Sequence, residues 1–269
     1  MAGIEKALNS IGSLNLLSLQ DTPVHRVDPR SKILVTVFFI FITVSFPKYE
    51  LSGLLPLIIY PVATMSLGRV PLKNMGLKIV AVSPFAIAIG IANPFIDRQT
   101  VMSIGSLDIS GGTISFISIL IKFILTVGTA LTLVATTGFE TMCAGLIRLK
   151  IPRVFAVQLL FMYRYIYVLF DEALRMIRAY SLRSFRTYPD IKITGSLVGQ
   201  LLLRSMNRAE RIHNAMISRG FDGEVRIMKT MRMRPADYSY MIFWCVFFFL
   251  CRTYNLPQAL GHLIIRTVS

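Results

Sequence analysis

The stretch from Ile114 to Ala135 constrains the fold of this chain more than any other, because Lys122 is the one charged residue in an otherwise mainly apolar run. A helix needs about 20 such residues to cross a bilayer, and it satisfies its own backbone hydrogen bonds in lipid. The stretch is therefore predicted to be a transmembrane helix. Four further apolar runs are Ile33–Phe46, Leu51–Leu67, Ile79–Phe95 and Tyr238–Cys251. The sequence thus predicts an all-α fold, a polytopic membrane helical bundle with about five transmembrane helices.

The composition excludes several classes of protein. Of the 269 residues, 54% are hydrophobic and 16% are charged, and the mean hydropathy is +0.61, whereas about 25% of the residues in an average soluble domain are charged. These values exclude a disordered chain, a coiled coil and a small disulfide scaffold, and they disfavour an ordinary soluble enzyme. The net charge is +15, but nucleic-acid-binding proteins are rarely this apolar, so no nucleic acid is expected as a partner.

The distribution of basic residues between the runs predicts their orientation. Gly68–Lys78 carries three basic residues and no acid, and Thr136–Arg153 carries three against one glutamate, so both segments are predicted to be cytoplasmic. Ile96–Gly112 carries two acids and one arginine and is predicted to lie outside. The N-terminus is then cytoplasmic, in a multi-pass protein of a bacterial or archaeal inner (cell) membrane.

A sixth apolar stretch, Ile151–Phe170, is ambiguous because it contains Arg153 and Arg164, and an arginine at the centre of a membrane helix costs about 2.5–3.5 kcal/mol. The segment that follows, Asp171–Arg234, carries 13 Lys and Arg against six Asp and Glu, a net charge of +7, and is predicted to be cytoplasmic. We therefore expect Ile151–Phe170 to lie along the inner interface, or to dip into it, without crossing.

This predicted topology divides the chain into three parts. Residues 1–135 form an N-terminal segment and four transmembrane helices, residues 136–237 form a cytoplasmic region, and residues 238–269 form the last transmembrane helix and an external C-terminus. The cytoplasmic region is predicted to hold two amphipathic helices, Glu172–Leu182 and Gly195–Arg219, separated by a break at Tyr188-Pro189-Asp190. Gly220 is a C′ residue that ends the second helix.

Both predicted helices end in an arginine-centred tripeptide, the first in Leu182-Arg183-Ser184 and the second in Ser218-Arg219-Gly220. An arginine there can simply complement the helix dipole, worth about 0.3–1 kcal/mol, or bind anionic lipid, worth about 1 kcal/mol. Alternatively, the two ends are presented to a protein partner, because the planar guanidinium pairs with carboxylates or clustered carbonyls.

Three local patterns resemble one family of membrane proteins. They are His25-Arg26-Val27-Asp28-Pro29-Arg30-Ser31-Lys32 before the first run, Asn93-Pro94-Phe95 at the end of the third, and Arg219-Gly220-Phe221-Asp222-Gly223. On these patterns the chain resembles the transmembrane T component of energy-coupling factor (ECF) transporters, of the CbiQ type found in cobalt or nickel uptake systems. The Phe-Asp-Gly tail favours the metal-transport branch over the vitamin branch.

The resemblance implies a mechanism and a set of site residues. Arginine-bearing coupling helices of the family dock onto two cytoplasmic ATP-binding-cassette ATPase subunits, whose ATP-driven closing reorients a separate substrate-binding membrane subunit. Here the ATPase-coupling residues would be Arg183, Ser184, Ser218, Arg219 and Gly220. The family carries two Ala-Arg-Gly-like motifs, and the first of the two here keeps only its arginine, so the turn after it is expected to differ.

Several chemical sites are not predicted. No GxxxxGK[ST] pattern occurs, so this chain is expected to bind no ATP, which the partner subunits would bind instead. His25, His213 and His262 have no second ligand at metal-binding spacing, and the three cysteines, Cys143, Cys245 and Cys251, follow no pattern. We expect no cofactor, no metal site and no catalysis in this chain.

Other interpretations remain open on the sequence alone. Lys122 is either an intramembrane functional group or a side chain that reaches the outer interface. A self-sufficient secondary transporter would show intramembrane charges and repeated hydropathy, and a vitamin-type T component of the same family is a further alternative. A membrane enzyme acting on lipid would need clustered acids, of which Asp171-Glu172 is the one adjacent pair.

Overall fold

The structure is a computed structural model that describes residues 12, 17–96, 100–104, 107–184, 190–222 and 233–253. Its elements in chain order are α1 (Pro23–Arg26), α2 (Pro29–Ser45), two 3-10 turns (Ser52–Leu54 and Pro56–Ile58), α3 (Ile59–Leu67), α4 (Leu72–Gly90), α5 (Asn93–Ile96), β1 (Thr100–Ile104), β2 (Leu107–Ser110), α6 (Gly111–Thr137), α7 (Phe139–Arg148), α8 (Arg153–Arg183), α9 (Ile191–Ser218) and α10 (Pro235–Thr253). The described residues divide into two compact units. The bundle unit comprises residues 17–96, 100–104, 107–138 and 233–253, and the arm unit comprises residues 12, 139–184 and 190–222.

This architecture is the all-α membrane bundle that the sequence predicts. Length and composition qualify three described helices, α4, α6 and α8, as membrane spans, and a shorter apolar helical stretch covers Ser52–Leu67. The run Ile114–Ala135 lies within α6, and the run Tyr238–Cys251 lies within α10. The number of crossings, their orientation and the three-part division of the chain stay predictions.

Two predicted spans differ from the structure because of prolines. Leu51–Leu67 is two 3-10 turns followed by the nine-residue α3, because Pro56 has no N–H to donate to the carbonyl four residues earlier. The third span was predicted over Ile79–Phe95 but α4 ends at Gly90, shortly before Pro94, and begins at Leu72. Its early start places two lysines inside the helix, which the sequence pattern had assigned to a loop.

A two-stranded antiparallel hairpin, which the sequence analysis did not predict, occupies part of the segment between α4 and α6. Strand β1 pairs with β2 in a register that sets Thr100 opposite Ser110 and Ile104 opposite Leu107. The sequence patterns of this short segment lack a hydrophobic alternation long enough to indicate strands.

Helix α8 also differs from the prediction, because it runs unbroken from Arg153 to Arg183. The sequence predicted two adjacent pieces, Ile151–Phe170 and Glu172–Leu182, with Asp171 between them. An acidic pair on the polar face of an amphipathic helix does not interrupt it. The following helix, α9, confirms the predicted Gly195–Arg219 with a start four residues earlier, at Ile191.

The core of the bundle unit is largely aromatic and joins α2, the turns before α3, α3 itself and α10. Tyr60 is its centre, with ring centroids 5.0 Å from Phe39, 4.7 Å from Trp244 and 5.1 Å from Phe248. Phe39 and Phe248 are fully buried. Edge-to-face pairs such as Tyr60–Trp244 contribute about 0.5–1.5 kcal/mol beyond the area that they bury.

Hydrogen bonds join both ends of helix α2 to neighbouring helices. At its start, the buried Lys32 donates from Nζ to the carbonyl of Thr136 at 3.0 Å, which is one of the carbonyls that the end of α6 leaves without a helical partner. At its other end, Lys122 of α6 donates from Nζ to the carbonyl of Phe46 at 2.6 Å, and Arg252 of α10 donates to Ser45 at 3.4 Å. Positive charges at helix C-termini are stabilising, so this bond gives Lys122 a structural role at the end of α2.

Candidate functional site

The predicted site residues lie in the arm unit, where α8 and α9 pack as an antiparallel pair. Arg204 of α9 donates from Nη1 to Oε1 of Glu172 in α8 at 2.8 Å. Nearer the start of α8, Phe161 lines the same cavity as Met216, which lies near the end of α9. Residue numbers therefore rise along one helix as they fall along the other.

The antiparallel arrangement separates the two predicted arginines. Glu172 is level with Arg204, so Arg219 is level with about position 157 of α8. Arg183 lies about 26 helix positions away from that level, which at a rise of 1.5 Å per residue corresponds to roughly 39 Å. The two arginines are thus at opposite ends of the pair, and we name these ends the Arg183 tip (Arg183 and Ser184) and the Arg219 tip (Ser218, Arg219 and Gly220).

The Arg183 tip ends without a left-handed residue. Arg183 is the last residue of α8, and the C-cap Ser184 has extended backbone angles, with φ −117° and ψ 142°. The N–H of Ser184 donates to the carbonyl of Tyr180 at 3.0 Å. The helix therefore stops by turning into an extended chain, as the absence of a glycine in Leu182-Arg183-Ser184 led us to expect.

The Arg219 tip is a Schellman motif. Gly220 has φ +77°, its N–H donates to the carbonyl of Ile217 at 2.9 Å, and the N–H of Phe221 donates to the carbonyl of Met216 at 3.0 Å. These are the two hydrogen bonds that define the motif. The side chains of Met216 and Phe221, at the two positions that are often apolar in such motifs, line the same cavity. Gly220 is therefore a C′ residue, as predicted, and Arg219 is the C-cap.

Both arginine side chains are exposed, as are Ser218 and Gly220. Among the described residues, neither guanidinium forms a hydrogen bond or an ion pair, whereas Ser218 donates from Oγ to the carbonyl of Asn214 at 2.9 Å within its own helix. Each arginine therefore lies at the end of its own helix. The five N–H donors of each guanidinium are open to a partner.

Metal-ligating side chains do not cluster in the part of the chain that the structure describes, where no three His, Cys, Asp or Glu residues could hold one ion. His25 uses both ring nitrogens, at 2.7 Å from Oγ1 of Thr22 and at 3.0 Å from the carbonyl of Leu17. His213 is exposed on α9. His262, the break at Tyr188-Pro189 and the Gly223 of the signature lie outside the described residues.

Two features of this site were not predicted from the sequence. The Glu172–Arg204 pair that fixes the register of α8 against α9 joins positions 32 apart, for which no local pattern exists. The Schellman motif at Gly220 did have a signal, because an apolar residue on each side of a helix-ending glycine, five positions apart, is typical of this motif.

Comparison with known proteins gives consistent results. Residues 20–230 match the family CbiQ, described as cobalt transport protein. The energy-coupling factor transporter transmembrane protein EcfT of Limosilactobacillus fermentum is 29% identical over 86% of this chain and 94% of its own length, and that of Ruminiclostridium cellulolyticum is 31% identical over 79% and 85%. The cobalt transport protein CbiQ of Rhodobacter capsulatus is 30% identical over 39% of this chain and 42% of its own length.

Proposed function

The chain belongs to the CbiQ family and is a transmembrane (T) component of an energy-coupling factor transporter, and on this premise we propose that it couples two cytoplasmic ATP-binding-cassette ATPase subunits to a separate membrane subunit that binds the metal cargo. The observation that carries the proposal is the placement of two exposed arginine tips at opposite ends of one helix pair. In this proposal ATP binds to the ATPase subunits, this chain holds no cofactor and catalyses no reaction, and its N-terminus is cytoplasmic.

The separation of the tips supports two docking sites rather than one. A gap of roughly 39 Å exceeds the diameter of a small domain, about 30 Å. Each tip is therefore suited to a different subunit. Because α8 and α9 are continuous helices of 31 and 28 residues, a movement of either tip is transmitted along a rigid element.

The chemistry of each tip suits a groove that presents carboxylates or helix-end carbonyls. The guanidinium of arginine offers a planar fork of donors that can bind such acceptors in pairs, and charge-assisted bonds of this kind are about twice as strong as neutral ones. At the Arg219 tip, Gly220 has no side chain, so a partner backbone can approach closely. The Arg183 tip has Ser184 instead, so we propose that this tip docks by its charge alone.

One face of α9 supports contact with the proposed membrane subunit. Val198, Leu202 and Met206, at four-residue steps along the helix, are each more than half exposed. An exposed apolar row on a helix marks an interaction surface. We assign this row to the metal-binding membrane subunit, because a movement of α9 would then act directly on that subunit.

The coupling role is tested by co-purification of the ATPase subunits with tagged variants of this chain. Arg183→Ala and Arg219→Ala should each weaken association by about 2–5 kcal/mol, because each removes one partner of a charge pair that is buried on docking. The control is Arg175→Ala, which removes an exposed arginine from α8 eight positions before Arg183. This variant should recover the ATPase subunits as the unmodified chain does.

Uptake of radioactive cobalt by cells that produce all the subunits provides the second measurement. We expect the double variant Arg183→Ala/Arg219→Ala to abolish uptake while the chain still reaches the membrane. Normal recovery of the ATPase subunits together with normal uptake in the double variant would refute the proposal.

Cobalt or nickel is proposed as the cargo of the complex. The residues Phe221 and Asp222, which follow the Arg219 tip, and the similarity to the CbiQ protein of Rhodobacter capsulatus support a metal over a vitamin. Uptake of labelled Co²⁺ and Ni²⁺ is compared in cells with and without the metal-binding subunit. Uptake of a vitamin and of neither metal would contradict this assignment.

A further inference from the structure

A cavity of about 570 Å³ opens between α8 and α9, close to the Arg219 tip. Its wall is mainly apolar, and Phe161 and Val168 of α8 face Ile212 and Met216 of α9 across it. These four side chains are half-buried. The cavity is large enough for part of an amphiphilic molecule, since small-molecule sites typically measure about 300–1,000 Å³.

The charged groups that line this cavity are both positive. Arg164 reaches it from α8 and Arg208 reaches it from α9, and both are exposed. Among the described residues neither forms an ion pair. Glu172, whose carboxylate lies within the field of Arg208, is already bonded to Arg204. One guanidinium from each helix therefore lies beside the apolar wall, and among the described residues neither guanidinium is paired with a carboxylate.

An adjoining cavity of about 250 Å³ extends this positive region. It shares Val168 and Arg208 with the larger cavity and is also lined by Arg204 and Arg211. Four arginines and one glutamate thus border the two adjoining cavities, which together we name the cleft between α8 and α9. A ligand with a negative headgroup and an apolar body matches this arrangement better than a neutral ligand or a purely polar anion does.

We propose that the cleft between α8 and α9 binds an anionic phospholipid, with its phosphate between Arg164 and Arg208 and its acyl chains against the wall of Phe161, Val168, Ile212 and Met216. Guanidinium groups bind phosphate oxygens in a bidentate manner, and basic pockets between membrane-associated helices bind anionic headgroups. The apolar character of α8, which is long and apolar enough to span a bilayer, brings this wall within reach of lipid. The site rests on membrane residence and not on the proposed coupling role.

Lipid titration of the full chain tests the site. The purified chain in a neutral detergent is titrated with phosphatidylglycerol and, separately, with phosphatidylcholine, and bound lipid is counted by native mass spectrometry. At about tenfold in affinity per 1.4 kcal/mol, each arginine should contribute about fivefold and both together about 30-fold. We expect Arg164→Gln/Arg208→Gln to weaken phosphatidylglycerol binding by about 30-fold and to leave phosphatidylcholine binding unchanged.

The matched control removes the same charge from the same two helices outside the cleft. Arg175→Gln/Lys192→Gln should change phosphatidylglycerol affinity by less than twofold. Arg164→Lys/Arg208→Lys keeps the charge and should retain most of the binding. Hydrogen exchange of the unmodified chain gives a measurement that needs no variant, because phosphatidylglycerol should slow exchange in residues 161–168 and 208–216.

Four results would overturn the proposal. They are equal affinity for the two lipids, undiminished phosphatidylglycerol binding in Arg164→Gln/Arg208→Gln, the same exchange protection by inorganic phosphate, and no protection by phosphatidylglycerol. Loss of the ATPase subunits from this variant with lipid binding intact would assign the cleft to an acidic protein surface instead. If Arg183→Ala and Arg219→Ala do not change recovery of the ATPase subunits, that result contradicts the proposed function. It does not contradict the lipid site.

Discussion

The carboxylate of Asp237 accepts a hydrogen bond from the backbone N–H of Asp28, 209 positions earlier in the chain, at an N–O distance of 2.9 Å. Its second oxygen accepts from the N–H of Arg234 at 2.7 Å, and Asp237 is 4% exposed. One buried side chain therefore holds the start of α2 against the start of α10. The side chain of Asp28 in turn caps α2 by accepting from the N–H of Arg30 at 2.9 Å.

Asp237→Ala should destabilise the bundle unit by about 3 kcal/mol, because it removes two charge-assisted hydrogen bonds and leaves the buried N–H of Asp28 without a partner. Asp237→Asn should cost less, since its amide oxygen can still accept one of the two bonds. Heat unfolding in detergent is followed by the fluorescence of Trp244, the single tryptophan, which is 7% exposed in the core of that unit. The exposed Glu210→Ala on α9 is the control, and equal melting temperatures for Asp237→Ala and this control would contradict the prediction.

Local features of this fold could be predicted from the sequence. Helix α6 contains the predicted run Ile114–Ala135, because a mainly apolar run of this length has few alternatives to a membrane helix. The end of α9 follows from Gly220, because a glycine after an amphipathic pattern satisfies the C′ position. These features depend on residues within a few positions of one another.

Contacts between distant positions could not be predicted. The pairs Asp28–Asp237, Lys32–Thr136 and Lys122–Phe46 join residues at least 76 positions apart, and each uses a polar group that hydropathy alone assigns to an interface or a loop. The antiparallel pairing of α8 with α9 likewise depends on a three-dimensional register. The candidate arginines could be identified from the sequence, but their positions at opposite ends of one pair could not.

Gly90→Ala should destabilise the packing of α4 on α6. A Cβ at this position would lie 2.6 Å and 2.9 Å from two ring atoms of Phe116, so the ring must move. Overpacking of this kind costs about 1–3 kcal/mol, which the Trp244 melting curve should detect. Gly76→Ala is the matched control in the same helix, because a Cβ there meets nothing within 4 Å, and it should be neutral or mildly stabilising.

A double-mutant cycle makes the Gly90 prediction specific. In a Phe116→Leu background the added methyl group has more room, so Gly90→Ala should cost less than in the unmodified chain. An equal cost in both backgrounds would show that the ring of Phe116 is not the obstacle.

Lys122→Met should lower stability by about 1–2 kcal/mol and leave cobalt uptake per folded molecule unchanged. The reason is that Nζ of Lys122 bonds the end of α2 through the carbonyl of Phe46, and methionine has a similar length but no donor. Uptake is normalised to the amount of properly folded chain in the membrane. A loss of uptake with unchanged stability would instead assign Lys122 to the transport pathway.

His25 should make stability depend on pH. Burial lowers the pKa of His25 below its ordinary value of 6.5, and the nearby ammonium of Lys32 lowers it further. Between that lowered pKa and 6.5 the unfolded chain binds a proton that the native chain does not, so stability is complete above 6.5 and decreases as the pH falls through this window. Melting temperatures at pH 7.5 and at pH 5.5 should therefore differ more for the unmodified chain than for His25→Gln. The exposed His213→Gln is the control, and it should retain the full difference.

Gly220→Ala should loosen the Arg219 tip without unfolding α9. With φ at +77° the alanine Cβ crowds the backbone, at a cost of about 1–2 kcal/mol, so the two hydrogen bonds that Gly220 and Phe221 donate would open more often. Amide exchange at these two positions should accelerate by about tenfold or more, since 1.4 kcal/mol corresponds to a factor of ten. Gly195→Ala, in the same helix and with nothing within 4 Å of its Cβ, should leave the exchange at the tip unchanged. If the geometry of the tip matters for docking, Gly220→Ala weakens recovery of the ATPase subunits although Arg219 is intact, whereas equal recovery from both glycine variants would mean that the charge of Arg219 suffices.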